Sequence, residues 1–196
     1  DARRWYERYG ISVNVNVSAM QLRRPDFVAT VLQALADAEL PGRALVLEIT
    51  ETALLATGQQ EIEQVIAYLH ELREHGVRIA IDDFGTGYSS LAYLQHLPVD
   101  VVKIDGAFTA YESGSDTASR QRNALTRAII GLCESMDLPA VAEKVETSEQ
   151  EEFLRDMRCP LGQGYLFSKP VPASALDSLL DGESGRSGQV AGLLAG

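Results

Sequence analysis

Seven polar residues stand where apolar runs of the chain stop: Asn16, Glu48, Asp82, Asp83, Lys103, Glu143 and Gln163. Glu48, Asp82, Asp83 and Glu143 are carboxylates, and two of them are adjacent in the stretch IAIDDFGTGYSS from Ile79 to Ser90. Gathered at one rim, these acids would repel one another. Two unit charges about 4 Å apart cost on the order of 4 kcal/mol at an effective dielectric of about 20. Either one carboxyl keeps its proton or a cation sits among them. Hard oxygen donors without Cys or His suit Mg²⁺, Mn²⁺ or Ca²⁺ rather than zinc. Asn16 adds a neutral carbonyl oxygen and Lys103 a fixed cation. Carboxylates, an amide and a lysine are the parts of a two-metal phosphoester hydrolase, whose ions bind phosphate oxygens and activate a water.

Such residues converge only if their elements do. ISVNVNVS (Ile11–Ser18) alternates as a strand does. Pro25 opens a helix whose face carries Val28, Val31, Leu32 and Leu35. ALVLEI (Ala44–Ile49) is a buried strand, and a helix from Gln59 to His75 carries the stripe Ile62, Val65, Ile66, Leu69 and Leu72. Gly76 suits its C-terminal cap. A strand from Val77 to Asp82, a short helix from Ser89 to Leu97 and a strand from Asp100 to Ile104 follow. A polar insert, YESGSDTASRQR, precedes a helix bearing Leu125, Ile129, Leu132, Cys133 and Met136. PAVAE (Pro139–Glu143) is the next strand, and Thr147 and Gln150 have capping-box spacing before a helix with Phe153, Leu154 and Met157. LGQGYLF is a weak sixth strand, Ser174–Leu180 a last helix, and the Gly/Ser-rich tail from Gly182 is expected to be mobile. Repeated strand–helix units with near-continuous apolar strands predict a parallel α/β fold covered on both faces. An open doubly wound sheet and a (β/α)₈ barrel both satisfy the pattern. Both place functional residues at the C-terminal ends of the strands.

Composition narrows the partners. The 196 residues are 45% hydrophobic and 23% charged, enough for one sizeable core. The net charge of −11 disfavours binding to DNA through phosphate neutralisation. No apolar run approaches the roughly 20 residues of a membrane span, and the N-terminus has no signal-peptide core. Cys133 and Cys159 lie far apart, the pattern of a reduced cytoplasmic protein. His70 and His75 in HELREH diverge by roughly 140° around a helix, so they form no zinc-protease pair. FGTGYSS has Ser90 where a dinucleotide loop would carry its third glycine.

Taken together, VNVS (Asn16), LEITE (Glu48, Glu51), DDFGTGYSSL, LPVDVVKID (Lys103, Asp105), AEKVET (Glu143, Glu146) and QGYLFSKP (Gln163) resemble the EAL domain, the bacterial cyclic di-GMP phosphodiesterase family. The resemblance runs from about Ile11 to Leu180. It implies a modified TIM (β/α)₈ barrel that hydrolyses cyclic di-GMP to linear pGpG with two Mg²⁺ or Mn²⁺ ions. The domain is expected over residues 1–181, with 182–196 a flexible tail. The family's Glu-Ala-Leu strand and helix are expected upstream of residue 1. By resemblance Asn16, Glu48, Asp82, Asp83 and Glu143 are metal-site residues, with Asp83 bridging the ions. Lys103 positions the attacking water, and Gln163 orients water. Glu51 anchors the loop containing Phe84, Gly85, Thr86 and Gly87, which the family associates with dimerisation and coupling to activity. Asp105 and Glu146 accompany the site. A cytoplasmic homodimer joined to sensory, receiver or diguanylate cyclase domains is implied, with no membrane contact by this segment. The alternative is a catalytically degenerate EAL domain acting as a cyclic di-GMP receptor or interaction module. Lys144 replaces the glycine of the family's usual AEGVE, and the segment Glu112–Arg122 resembles a surface insertion.

Overall fold

The computed structural model describes residues 1–55, 59–86, 96–110 and 117–183. Two compact units divide the chain. The first takes in Asp1–Asp82 and the segment ending at Asp100, and the second Asp83–Thr86 and the chain from Val101.

The first unit opens with helix α1 (Ala2–Tyr9), closed by Gly10 in the left-handed region. Strand β1 (Val13–Val17), α2 (Ala19–Leu22), α3 (Phe27–Asp37), β2 (Leu45–Thr50), α4 (Glu51–Leu55), α5 (Gln59–Glu74) and β3 (Arg78–Phe84) follow. The three strands lie parallel in the order β1-β2-β3, with Asn16 opposite Glu48 and Thr50 opposite Asp82. The α5 stripe behaves as its spacing predicts: Ile62, Val65, Leu69 and Leu72 are buried, while His70 and His75 face solvent. Along β1 Val17 is buried while Val15 and Asn16 are exposed, so burial there does not follow the expected alternation.

The second unit holds β4 (Val101–Ile104), α6 (Gly106–Thr109), α7 (Thr117–Ser135), β5 (Ala140–Ala142), α8 (Ser148–Asp156), β6 (Leu161–Gly162) and α9 (Ala173–Glu183). Its strands are parallel in the order β4-β5-β6. Thr147 and Gln150 form the expected capping box of α8. Ser18 and Gln21 form another at α2, a helix the sequence pattern had not marked.

Four helices turn back in the same way. After α3, α5, α7 and α8, the residues Glu39, Gly76, Asp137 and Arg158 take a left-handed φ of 49°, 85°, 54° and 60°. The next residue donates its N–H to a carbonyl in the last turn: Leu40 to Leu35, Val77 to Leu72, Leu138 to Cys133 and Cys159 to Leu154. This is the Schellman arrangement, which satisfies orphan carbonyls and brings two apolar side chains together. Leu35, Leu40, Leu72, Val77, Cys133 and Leu154 are correspondingly buried.

The element bounds differ from expectation in instructive places. β3 does not stop at Asp82 but continues to Phe84, so both aspartates lie within it. The insert is not polar loop throughout: Thr117–Arg122 begins α7, on which Ser119 and Thr126 are buried. β6 shrinks to two residues because Gly164, at φ 159°, turns the chain beside Val145. The tail is helical to Glu183. The helix expected from Ser89 falls almost wholly outside the described residues.

Candidate metal centre

In the first unit the chemistry gathers at the ends of β1 and β2. Glu48 is 2% exposed, in a strand otherwise made of apolar side chains and Thr50. A buried carboxylate requires donors. Asn14 supplies one, its Nδ2 donating to Glu48 Oε1 at 2.7 Å. The Asn14 Oδ1 is buried with no hydrogen-bond partner. Asn14 lies two residues before Asn16 and shares its face of the strand. Asn16 itself is exposed and lines an open cavity of about 630 Å³ with Ser18, Gln21, Thr50 and Thr52.

The second unit gathers a denser set of charges. Asp83 has φ 51°, although it lies within a strand. In regular strands neighbouring side chains point to opposite faces, and a left-handed residue breaks that alternation. The Asp83 carbonyl is held by Thr86, whose N–H donates at 3.3 Å and hydroxyl at 2.9 Å. Gly85 makes this turn possible: its φ is 98°, and a side chain there would lie 2.8 Å from the Phe108 ring. Asp83 and Glu143 then offer carboxylate oxygens within 4.8 Å of each other, and Asp82 immediately precedes Asp83 as the last residue of this segment of the first unit.

Glu143 is fixed from several directions. Its Oε1 lies 2.7 Å from Lys103 Nζ, and those side chains are 12% and 5% exposed. Its N–H donates to Ile104 O at 3.0 Å, and its carbonyl accepts from the fully buried Thr109 hydroxyl at 2.6 Å. The next residue, Lys144, has φ 56°. Glycine prefers this region, so the conformation accounts physically for the glycine of the family motif. The Lys144 ammonium lies 2.6 Å from Asp105 Oδ2. Hydrogen bonding to Asp105 raises the lysine's pKa against a modest burial effect, with Asp83 and Glu143 adding to the pull. Burial works to raise the Asp105 pKa, but hydrogen bonds from Lys144 and the Ala107 N–H carry it below the ordinary value. Burial pushes the Cys133 thiol up to about 11, so it is a packing residue rather than a nucleophile.

Lys103, Glu143, Asp83 and Asp105 thus share one neighbourhood in the second unit, and Glu48 and Asn16 are register partners in the first. Gln163 is half-buried after β6, its N–H donating to Ala142 O and its carbonyl accepting from Val145. Glu51 is buried in the first turn of α4, and Phe84 is buried. Glu146 is exposed, its N–H taken by the Gln150 side chain that caps α8. Gly87 lies outside the described residues. Asn14 and Thr109 escaped the sequence reading. The alternation of β1 could have found Asn14; nothing local marks Thr109, whose partner lies 34 residues away.

The EAL domain family model matches residues 1–170. The chain belongs to the EAL domain family. It is 46% identical over 171 residues to the cyclic di-GMP phosphodiesterase NbdA of Pseudomonas aeruginosa, covering 87% of this chain but only 21% of that relative. The chain spans about a fifth to a quarter of the length of the first curated relatives it matches. The phosphodiesterase PaMucR, solved with c-di-GMP, superposes with a TM-score of 0.79 at 38% identity, over 89% of this chain and 68% of that one. The EAL domain of Mycobacterium smegmatis DcpA gives 0.79 at 37%, over 92% and 79%. These likenesses establish the parallel α/β fold of EAL domains, TIM-barrel-like, and leave no place for the open doubly wound alternative.

Proposed function

We propose that this EAL domain hydrolyses cyclic di-GMP to linear pGpG with the help of two divalent cations, Mg²⁺ or Mn²⁺. The observation that carries the reading is the pairing of Asp83 and Glu143 carboxylates within 4.8 Å beside the buried Lys103. The donor set fits a hard cation, since no Cys or His joins the group among the described residues. Asp83 and Glu143 would hold a cation in the second unit, and Asn16, Glu48 and Asp82 are the oxygen donors that the first unit would offer. Bound ions would polarise the phosphodiester and lower the pKa of a water. Lys103, with three N–H donors on a stem fixed by burial, orients that water. Gln163 aids the same orientation. One P–O ester bond breaks as the water oxygen bonds phosphorus, leaving a phosphomonoester and a free ribose hydroxyl. The cations also let a protein of net charge −11 accept a dianionic dinucleotide.

Asp83→Ala tests the reading by chromatography of pGpG formed with Mn²⁺ present. Turnover is expected to fall at least a hundredfold, in line with losing a centre of charge stabilisation. Undiminished turnover would overturn the role of Asp83. Nucleotide binding by the unaltered protein without any pGpG would select the receptor reading instead. The loop containing Phe84, Gly85, Thr86 and Gly87 couples activity to a homodimer contact in this scheme. The surrounding protein adds sensory, receiver or cyclase domains and keeps this domain in the cytoplasm. Residues 1–181 make up the domain in this reading, and 182–196 its tail.

A further inference from the structure

The residue after Glu143 carries a full positive charge where a competing cation would do most harm. The Lys144 side chain folds across Gly106: a Cβ built at Gly106 would lie 2.4 Å from Lys144 Cδ and 2.8 Å from its Cβ. Gly106 therefore provides the track along which the lysine stem runs. The ammonium ends 2.6 Å from Asp105 Oδ2, and the other Asp105 oxygen accepts from the Ala107 N–H at 2.9 Å as the N-cap of α6. The acceptor is the more constrained partner: the Asp105 side chain is 11% exposed, whereas that of Lys144 is 63% exposed. A lysine is a compact charge on a flexible stem. Without Asp105, the opposite charges left to act on the ammonium include those of Glu143 and Asp83, which form the acidic group. Both already act on the ammonium in the folded protein.

We propose that Lys144 is a built-in competitor for the divalent cation at Asp83 and Glu143, and that Asp105 holds it away from them. The inference rests on the metal reading of that acidic group. Asp105 is then a positioning residue: it acts on the metal site by occupying the lysine. The Lys144–Asp105 pair contributes no net charge, so the site keeps its full attraction for a cation. Breaking the pair from the Asp105 side leaves a monovalent cation tethered one residue from Glu143.

Mn²⁺ binding to the purified protein, followed by electron paramagnetic resonance of the free ion, tests this without reference to turnover. Asp105→Asn is the informative variant, because asparagine caps a helix as well as aspartate does and preserves α6. It is expected to weaken Mn²⁺ binding about tenfold, a modest fraction of the Coulomb repulsion between an ammonium and a divalent ion at close range. Lys144→Met is expected to bind Mn²⁺ at least as tightly as the unaltered protein. In the Asp105→Asn/Lys144→Met double variant, affinity is expected to return to the Lys144→Met value. Unchanged affinity in Asp105→Asn would overturn the proposal. So would a double variant as weak as Asp105→Asn alone, which would place the effect in the α6 cap. If the unaltered protein bound no Mn²⁺, the metal reading itself would fall and take this inference with it.

Discussion

Five non-glycine residues of the described chain adopt a left-handed backbone, and they fall into two groups. Glu39, Asp137 and Arg158 sit at helix ends, where the N–H of the following residue closes a Schellman turn over buried apolar side chains. Asp83 and Lys144 sit at the ends of β3 and β5, beside the acidic group. The two settings resolve the same strain differently. At a helix end the turn repays the conformation locally, through backbone hydrogen bonds that any residue type can make. At the strand ends side chains add to the backbone bonds: the Thr86 hydroxyl joins its own N–H on the Asp83 carbonyl, Asp105 takes the Lys144 ammonium, and Thr109 donates to the Glu143 carbonyl. Backbone strain held by specific side chains marks sites where direction matters more than local stability. At Asp83 the direction obtained is that of a carboxylate.

The contrast is broken most severely by removing a charge from the second setting. Lys103→Met leaves Glu143 buried without its ammonium. It is expected to destabilise the protein by about 3–5 kcal/mol in urea unfolding with chelator present, since an unpaired buried charge is costly. Lys103→Met with Glu143→Leu is expected to recover most of that loss. If the single variant proved neutral, the pair would not be an organising contact of this rim.

A smaller effect is expected in the first unit, where the buried carboxylate meets an amide rather than an ammonium. Asn14→Ala removes the donor to Glu48 and, with it, a carbonyl oxygen that already lacks a partner. The expected cost in urea unfolding is about 1–3 kcal/mol, the range for a lost hydrogen bond to a charged group. A loss as large as that of Lys103→Met would erase the distinction between the two carboxylate environments.

The sequence was most legible where a residue's role is stated by its own neighbourhood. The α5 stripe, the α8 capping box and the Gly76 cap are local patterns, and each forms as its spacing predicts. The polar residues closing the strands were equally readable, because a polar residue interrupting an apolar run is visible without coordinates. What could not be read depends on partners distant in sequence. Thr109 looks like any threonine until Glu143 is placed beside it. Lys144 could have faced solvent or a metal-site carboxylate, and only the fold of α6 shows that Asp105 receives it. The left-handed turns at Glu39, Asp137 and Arg158 were hidden because none carries the glycine that announces such a turn.

Those hidden turns supply the finest test of the comparison. Arg158 is exposed, and its left-handed φ of 60° is imposed by the turn after α8. Arg158→Gly removes the Cβ penalty of roughly 1–2 kcal/mol but gives back part of it through a more flexible unfolded chain. The expected gain is about 0.5–1 kcal/mol, read from the shift of the urea midpoint. Lys144→Gly removes the same kind of strain, yet it also removes the partner of Asp105, a partly exposed pair worth about 0–1 kcal/mol. Its net effect is therefore expected to be smaller than that of Arg158→Gly. Lys144→Ala, which loses the pair and keeps the Cβ, is expected to be the least stable of the three. If Lys144→Gly stabilised the protein as much as Arg158→Gly, the Asp105 contact would contribute nothing to holding the backbone there. The strand-end residue would then be an ordinary strained turn. The order Arg158→Gly, Lys144→Gly, Lys144→Ala would instead separate a left-handed residue closed by backbone bonds from one held by its own side chain.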